Sequence, residues 1–319
     1  MTDLVTFGET MLRLSAPRGE RLERTRSLNT AIGGAESNVA VAAARLGCET
    51  TWMSKLPLSP LGRRITGELR SHGVQPAVAW DENNSARIGT YYLEHGGNPR
   101  GTKVIYDRGD ASVTTATPLQ LPTAALESAE LFYTSGITPA LSSTVEETTK
   151  TLLTAANQKG VTTAFDLNYR SKLWSPDTAG ISYRSLFPNI DILIAAKRDV
   201  EMCLNRDGDV VEVANGLYHD FGFETVVITQ GEHGSVAVHD SNVFKQDVYT
   251  TDTFDPIGSG DAFVGGYLSQ RIDGDNLPNA LEYAAATASL KRTIDGDLAV
   301  ITPEDVETVI KENDNEISR

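Results

Sequence analysis

Residues 255–261 (Asp-Pro-Ile-Gly-Ser-Gly-Asp) have the composition of a turn that binds an anion and then begins a helix. The first backbone N–H groups of a helix have no partner inside it, and the helix dipole favours negative charge there. We expect close approach of a phosphate at Gly260, where a side chain would also destabilise any unusual backbone angle. Asp261 in the same turn suits a base that removes a proton from a hydroxyl attacking phosphorus. The alternative is a glycine-rich turn with an ordinary aspartate at the helix start.

Short apolar segments alternate with longer helical ones along most of the chain. The apolar segments are residues 4–7, 131–134, 163–166, 190–194 and 225–229, and the helical ones include 35–46, 143–159 and 210–221. This alternation predicts an α/β fold of the doubly wound kind, a mostly parallel sheet with helices on both faces. Ligands of such sheets bind beyond the carboxyl ends of the strands, where polar residues occur at 166–170 and 229–234.

Two segments, at about 11–32 and 86–110, break this alternation. Leu12 and Leu14 alternate with polar residues, and two strand-like runs flank the loose turn at 95–99 (His-Gly-Gly-Asn-Pro). The second segment has the pattern of a β-hairpin. We predict a small β-sheet that projects from the α/β body and is able to act as a lid. The alternative is that these are edge strands of the main sheet.

The composition excludes several classes of partner. A net charge of -15 and a pI of about 4.8 disfavour nucleic acid, whose phosphates would be repelled. No apolar run approaches the roughly 20 residues of a membrane span, and no secretion signal is visible. The isolated Cys48 and Cys203 suit a reducing compartment, and the five histidines lack zinc-ligand spacing. We therefore expect a cytoplasmic protein with neither membrane nor nucleic-acid partners.

The acidic composition, with only nine lysines, favours a halophilic protein that is kept soluble in high salt. The alternative is an ordinary acidic cytoplasmic enzyme. Because rising ionic strength screens self-repulsion, we expect the melting temperature and the activity to increase from dilute buffer to molar KCl. A flat or falling response in a KCl series of both measurements would remove the halophilic interpretation.

The chain resembles the ribokinase-like (PfkB) family of carbohydrate kinases. The resemblance rests on two motifs, residues 33–38 (Gly-Gly-Ala-Glu-Ser-Asn) and the 255–261 turn. Within the family it is nearest to 2-keto-3-deoxygluconate kinases, through residues 106–108, 135–140 and 166–174. The resemblance implies one ribokinase-like domain over residues 1–319 with a β lid, and a homo-oligomer. It also implies ATP and Mg²⁺ as cofactors and phosphorylation of 2-keto-3-deoxygluconate to its 6-phospho product.

The resemblance also implies a role for each matching residue. Asp261 corresponds to the catalytic base, and Gly258, Ser259 and Gly260 to the anion hole. The residues implied in substrate binding are Gly34, Asn38, Tyr91, Tyr106, Arg108, Arg170 and Asp297, with Asp295 as the alternative to Asp297. The residues implied in nucleotide binding are Asn168, Arg170, Thr229, Gln230, Gly231, Gly234, Gly258 and Gly260.

These assignments have structural alternatives. Gly34 and Asn38 would otherwise reflect tight helix packing and a buried amide, the two tyrosines packing within the lid, and Arg170 a surface ion pair. The chain also departs from the family at residues 196–199 (Ala-Lys-Arg-Asp), where many members have an Asn-x-x-Glu motif that organises Mg²⁺. Asp199 would act on Mg²⁺ through water or simply begin a helix. Ser259 replaces a commoner alanine, which the backbone tolerates.

The chain contains neither the P-loop sequence nor the protein-kinase catalytic loop. The transferred phosphoryl group must then be neutralised by backbone N–H groups, the helix dipole and Mg²⁺. Two other functions stay open: a fructokinase or other ketohexose kinase of the family, and a non-catalytic sugar-binding regulator. Arg108 and Arg170 favour an acid substrate, since a carboxylate calls for cationic side chains. Gluconate-derived and galactonate-derived acids are both compatible with the sequence.

Overall fold

The computed structural model describes residues 2–97, 99–274 and 276–317. Its strands are β1 (Leu4–Phe7), β2 (Met11–Ser15), β3 (Asn29–Gly33), β4 (Thr50–Pro57), β5 (Gln75–Asp81), β6 (Thr90–Glu94), β7 (Lys103–Asp107), β8 (Leu131–Ser135), β9 (Thr162–Asp166), β10 (Ile192–Ala196), β11 (Thr225–Thr229), β12 (Ser235–His239) and β13 (Asn242–Gln246). Its helices are α1 (Ala35–Arg45), α2 (Pro60–Ser71), α3 (Ser143–Gln158), α4 (Pro176–Leu186), α5 (Lys197–Leu204), α6 (Val210–Phe221), α7 (Ser259–Ile272), α8 (Leu277–Lys291) and α9 (Pro303–Ile317).

The main sheet has nine strands in the order β13-β12-β11-β10-β9-β8-β1-β4-β5. Strands β1, β4, β5 and β8–β11 are mutually parallel, whereas β12 and β13 form an antiparallel edge. Successive side chains of a strand point to opposite faces. Phe132 accordingly belongs to a core cluster that contains side chains of α3, α4 and α6, and its neighbour Tyr133 belongs to one that contains side chains of α1, α7 and α8. The predicted doubly wound fold is confirmed.

A separate four-stranded sheet, called here the small sheet, has the order β3-β2-β6-β7. The hairpin β6–β7 is antiparallel, and the parallel pair β2–β6 joins the two predicted segments. These strands are therefore distinct from the main sheet, as the pattern at 11–32 and 86–110 predicted. Asn98, in the predicted turn, lies outside the described residues.

The predicted element boundaries hold to within two residues. The strand predicted at 190–194 begins instead at Ile192, because the N–H of Ile190 closes a turn onto the carbonyl of Phe187 at 3.0 Å. The antiparallel pair β12–β13 was not predicted. In the described part of the chain, none of the helices has the length and apolarity to cross a membrane.

Candidate active site

The turn before α7 is held in place by backbone contacts and one buried carboxylate. Gly258 has a φ of +81°, and a Cβ there would lie 2.1 Å from the carbonyl oxygen of Asp297. Asp255 is 1% exposed and accepts hydrogen bonds from the N–H groups of Ile257 (3.1 Å) and Gly296 (3.2 Å). The turn is thereby fixed at the start of α7, where the first N–H groups have no helical partner.

Gly260 itself has an ordinary backbone angle. Its φ is not positive, and a Cβ built on it would meet no protein atom within 4 Å. The unusual backbone angle belongs to Gly258 instead, where the chain must pass close to Asp297. The space at Gly260 is open because this residue borders two cavities rather than protein.

Asp261 lies in the first turn of α7, beside the N-terminal end of α1. Its Oδ2 accepts a 2.6 Å hydrogen bond from Asn38 Nδ2, and Asn38 Oδ1 accepts a 3.2 Å bond from the N–H of Gly34. The two helices approach closely because residue 265 is glycine: a Cβ on Gly265 would lie 2.5 Å from Ala42 Cβ. Burial raises the pKa of Asp261 to about 6, against the effect of the Asn38 hydrogen bond. The carboxylate is therefore oriented and ready to accept a proton near neutral pH.

Two more carboxylates, of Asp166 at the end of β9 and Asp199 in α5, line the same cavity as Asp261. Asp199 is 2% exposed and accepts hydrogen bonds from the N–H of Tyr169 (3.0 Å) and from Arg198 Nε (3.1 Å). Burial, together with the charges of Asp199 and Asp261, raises the pKa of Asp166 to about 8. Buried carboxylate oxygens with excess negative charge are a donor set that fits a hard divalent cation such as Mg²⁺.

The first cavity has a volume of about 620 Å³ and brings together most of the residues singled out in the sequence. Those that line it are Gly34, Asn38, Tyr91, Tyr106, Arg108, Asn168, Arg170, Asp199, Thr229, Gly258, Ser259, Gly260, Asp261 and Asp297. These residues come from the small sheet, from α1, α5 and the start of α7, from the carboxyl ends of the main-sheet strands and the loops that follow them, and, for Asp297, from the loop between α8 and α9. The position beyond those strand ends agrees with the sequence-based prediction.

A second cavity, of about 440 Å³, opens on the other side of the 258–260 turn. It shares Thr229, Ser259 and Gly260 with the first cavity, so the two meet at the start of α7. Gly231 and Gly234 line the second cavity, whereas Gln230 lines neither of the two. The N–H of Gln230 instead closes the turn onto the carbonyl of Gly234 at 2.8 Å.

The small sheet supplies one end of the first cavity. Tyr91 and Tyr106 are adjacent on β6 and β7, with ring centroids 6.0 Å apart, and the Arg108 guanidinium lies 5.5 Å from the Tyr106 ring. Arg108 also forms an ion pair with the buried carboxylate of Glu9. Arg170 is exposed and forms no ion pair with any residue that the structure describes.

Asp295 and Asp297 differ in their exposure and in their position relative to the cavities. Asp297 is 7% exposed and lines the first cavity, where its Oδ2 accepts a 2.7 Å hydrogen bond from the Tyr91 hydroxyl. The side chain of Asp295 is 59% exposed, does not line either cavity, and pairs with Arg18 at 2.9 Å. Of the two alternatives, Asp297 is therefore the one placed to meet a ligand.

Arg13 is a residue of this site that the sequence did not reveal. It lies on β2, is 1% exposed, and donates to Asp297 Oδ1 at 2.6 Å and to Asp255 Oδ2 at 3.2 Å. It thereby links the small sheet to the turn before α7. The available signal was weak: a single arginine between Leu12 and Leu14 in a strand-like segment.

Comparison with known proteins agrees with this geometry. Residues 1–302 match the pfkB family carbohydrate kinase description. The chain is 59% identical to the 2-dehydro-3-deoxygalactonokinase of Haloferax volcanii, covering 99% of both proteins. A 2-dehydro-3-deoxygluconokinase structure from Thermotoga maritima is 33% identical, with a TM-score of 0.91 over 97% of this chain and 98% of that one.

A crystal structure from E. coli that holds ATP and Mg²⁺ shares the fold at 19% identity, with a TM-score of 0.88 over 98% of this chain and 100% of that one. Identity at that level speaks for the fold alone. The family match covers most of the chain, and the Haloferax and Thermotoga relatives match over nearly its whole length. The chain belongs to the pfkB family of carbohydrate kinases.

Proposed function

We propose that the protein phosphorylates a 2-keto-3-deoxy sugar acid at the expense of ATP, with 2-keto-3-deoxygluconate (2-dehydro-3-deoxygluconate) giving the 6-phospho product and ADP. The observation that carries the proposal is the position of Asp261. Its oriented carboxylate lines the first cavity in the first turn of α7, directly after Ser259 and Gly260, which line both cavities. A base and an anion site are thus adjacent, as phosphoryl transfer to a hydroxyl requires.

In the proposed reaction, Asp261 removes the proton of the substrate 6-hydroxyl as that oxygen attacks the γ-phosphorus of ATP. The new O–P bond forms while the bond from the γ-phosphorus to the β,γ-bridging oxygen breaks, and ADP leaves with that electron pair. The N–H groups of residues 258–260 would stabilise the charge on the transferred phosphoryl oxygens. Asn38 would hold Asp261 in position through the observed 2.6 Å hydrogen bond.

The second cavity is proposed to hold the nucleotide, with Thr229, Gly231 and Gly234 along its wall. Gln230 would then support this loop rather than contact ATP, since it lines neither cavity. Asp166 and Asp199 would hold Mg²⁺ through bound water, and the ion would neutralise charge on the phosphates. Asn168 and Arg170 line the first cavity near the junction and are assigned to the phosphates or the substrate.

The acid class of the substrate is inferred from two arginines in the first cavity. Arg108 is paired with Glu9, whereas Arg170 lines the same cavity without an ion pair among the described residues and acts electrostatically on the carboxylates of Asp166 and Asp261. A carboxylate is the ligand that such a guanidinium binds best. The names of the Haloferax and Thermotoga relatives support the same class.

A second candidate is the galactonate-derived acid, which differs from the gluconate-derived one at a single stereocentre. The observation in its favour is the 59% identity to the Haloferax protein named for that substrate. A coupled assay of ADP release with both acids and with fructose decides among these substrates. Higher kcat/KM for fructose than for either acid would replace the proposal with the fructokinase alternative.

Removing either cavity arginine is expected to weaken acid substrates selectively. Arg170→Ala and Arg108→Ala should each raise KM for 2-keto-3-deoxygluconate by about ten-fold or more. One hydrogen bond between a guanidinium and a carboxylate contributes about that much to the affinity. The weak turnover of neutral sugars should change less. Initial-rate measurements on both substrate types test this.

Arg206→Ala is the matched control, because Arg206 pairs with Asp220 at the surface and lines neither cavity. It should leave KM unaltered. If both cavity-arginine variants keep the wild-type ratio of acid to neutral kcat/KM, the carboxylate is not recognised by these residues and the acid class is wrong.

A further inference from the structure

Glu9 lies between β1 and β2 and contributes a buried carboxylate to the first cavity. It is 4% exposed, and its Oε2 is the ion-pair partner of Arg108 Nη2. The remaining oxygen, Oε1, and Arg108 Nε have no hydrogen-bond partner among the described residues. This carboxylate belongs to neither of the two family motifs and has no role in the proposed phosphoryl transfer.

Two glycines, Gly34 and Gly89, leave the space that Glu9 occupies. A Cβ on Gly89 would lie 2.3 Å from Glu9 Oε1, and a Cβ on Gly34 would lie 2.0 Å from the Glu9 carbonyl oxygen. Both the side chain and the backbone of Glu9 therefore depend on a neighbouring glycine. A β-carbon at residue 34 or residue 89 would displace Glu9, so these two glycines fix the location of its carboxylate.

Glu9 also borders a small cavity behind the ion pair. That cavity is lined by the hydroxyl-bearing residues Thr10, Ser54 and Ser112. All three hydroxyls are buried and have no partner among the described residues. Buried hydroxyls in this lining suit a carboxylate rather than an apolar side chain at residue 9.

The ion pair itself is almost fully removed from solvent, with side-chain exposures of 11% for Arg108 and 4% for Glu9. A buried charge that loses its partner is strongly destabilised, so the guanidinium stays where Glu9 places it. The first cavity also contains Asp166, Asp199 and Asp261, and each of these carboxylates would attract a displaced arginine. Glu9 therefore keeps Arg108 at the end of the cavity formed by the small sheet and away from the reacting groups.

We propose that Glu9 is a positioning residue that fixes the Arg108 guanidinium for recognition of the substrate carboxylate. This rests on the proposed function, in which Arg108 contacts the acid. Glu9 would act through Arg108 alone and would not touch the substrate. Its loss should therefore change KM for acids and leave kcat nearly intact.

The test compares four variants with the wild-type enzyme. Glu9→Ala removes the partner of Arg108 and should raise KM for the acid by about ten-fold or more. Glu9→Gln keeps an oxygen that accepts from the guanidinium, so its KM should lie closer to wild type. Gly89→Ala leaves all charges unchanged but places a Cβ 2.3 Å from Glu9 Oε1 and 3.2 Å from Arg108 Cβ, so it should raise KM for the acid by displacing both members of the pair. Gly101→Ala is the control, because a Cβ there meets no atom within 4 Å.

Crystal structures of Glu9→Ala and Glu9→Gln provide a readout that does not depend on the substrate. Arg108 should leave its place in the first variant and keep it in the second. An unmoved guanidinium in Glu9→Ala, equal damage from the Ala and Gln variants, or an equal rise in KM for neutral sugars would overturn the proposal. If Arg108→Ala leaves KM for the acid unchanged, the proposed function is at fault, and the two crystal structures still decide the role of Glu9.

Discussion

Replacing Asp261 with asparagine should lower kcat by about 10²–10⁴-fold, the usual contribution of a general base. Asparagine preserves the shape of the side chain and can still accept the hydrogen bond from Asn38, so the turn and α7 should keep their geometry. Only the ability to take a proton is removed. KM for ATP and for the sugar acid should therefore change little, which steady-state kinetics with each substrate varied will show.

The pH dependence checks the same assignment. Because burial raises the pKa of Asp261 to about 6, wild-type kcat/KM should fall as the pH drops through about 6 and the base becomes protonated. This limb should be absent in the residual activity of Asp261→Asn. Asp295→Asn, at an exposed carboxylate that lines neither cavity, is the matched control and should retain wild-type kcat. If Asp261→Asn kept more than a tenth of kcat with chemistry limiting turnover, Asp261 would not be the base.

Local sequence signals placed most of the fold correctly. Helix α6 matches the predicted span 210–221 because both ends carry their own signals: Asp209 accepts hydrogen bonds from the first N–H groups, and Gly222 ends the helix with a φ of +72°. The pair β12–β13 was missed because β13 is largely exposed and half polar. Its existence depends on pairing with β12 along the edge of the sheet, which periodicity does not report.

The site was predictable where its chemistry lies within one motif. Asn38 and Asp261 were identified separately, although 223 residues separate them, because each belongs to a recognisable glycine-containing segment. Arg13 and Glu9 have no such segment. Arg13 acquires its role only when the fold brings it to Asp297, 284 positions away, and Glu9 meets Arg108 across 99 positions. Such contacts follow from topology, and a single sequence does not encode them locally.

The structure places the conformational constraint of the turn at Gly258, whereas Gly260 borders the two cavities, so the two glycines can be tested separately. Gly258→Ala would force a Cβ to within 2.1 Å of the Asp297 carbonyl oxygen at a φ of +81°. Such strain costs about 1–3 kcal/mol, so the melting temperature should fall. This variant measures how the turn is held and says little about phosphate binding.

Gly260→Val should do the reverse, lowering kcat/KM for ATP by about 10²-fold or more while the melting temperature stays near that of wild type. A Cβ at residue 260 meets no protein atom within 4 Å beyond its own stretch of chain, so a valine there would extend into the space where the two cavities join. There it would keep the transferred phosphoryl group from the N–H groups of the turn. Thermal unfolding and ATP-dependent rates of both variants measure the two effects side by side. Normal ATP turnover in a stably folded Gly260→Val enzyme would rule out the anion-hole assignment.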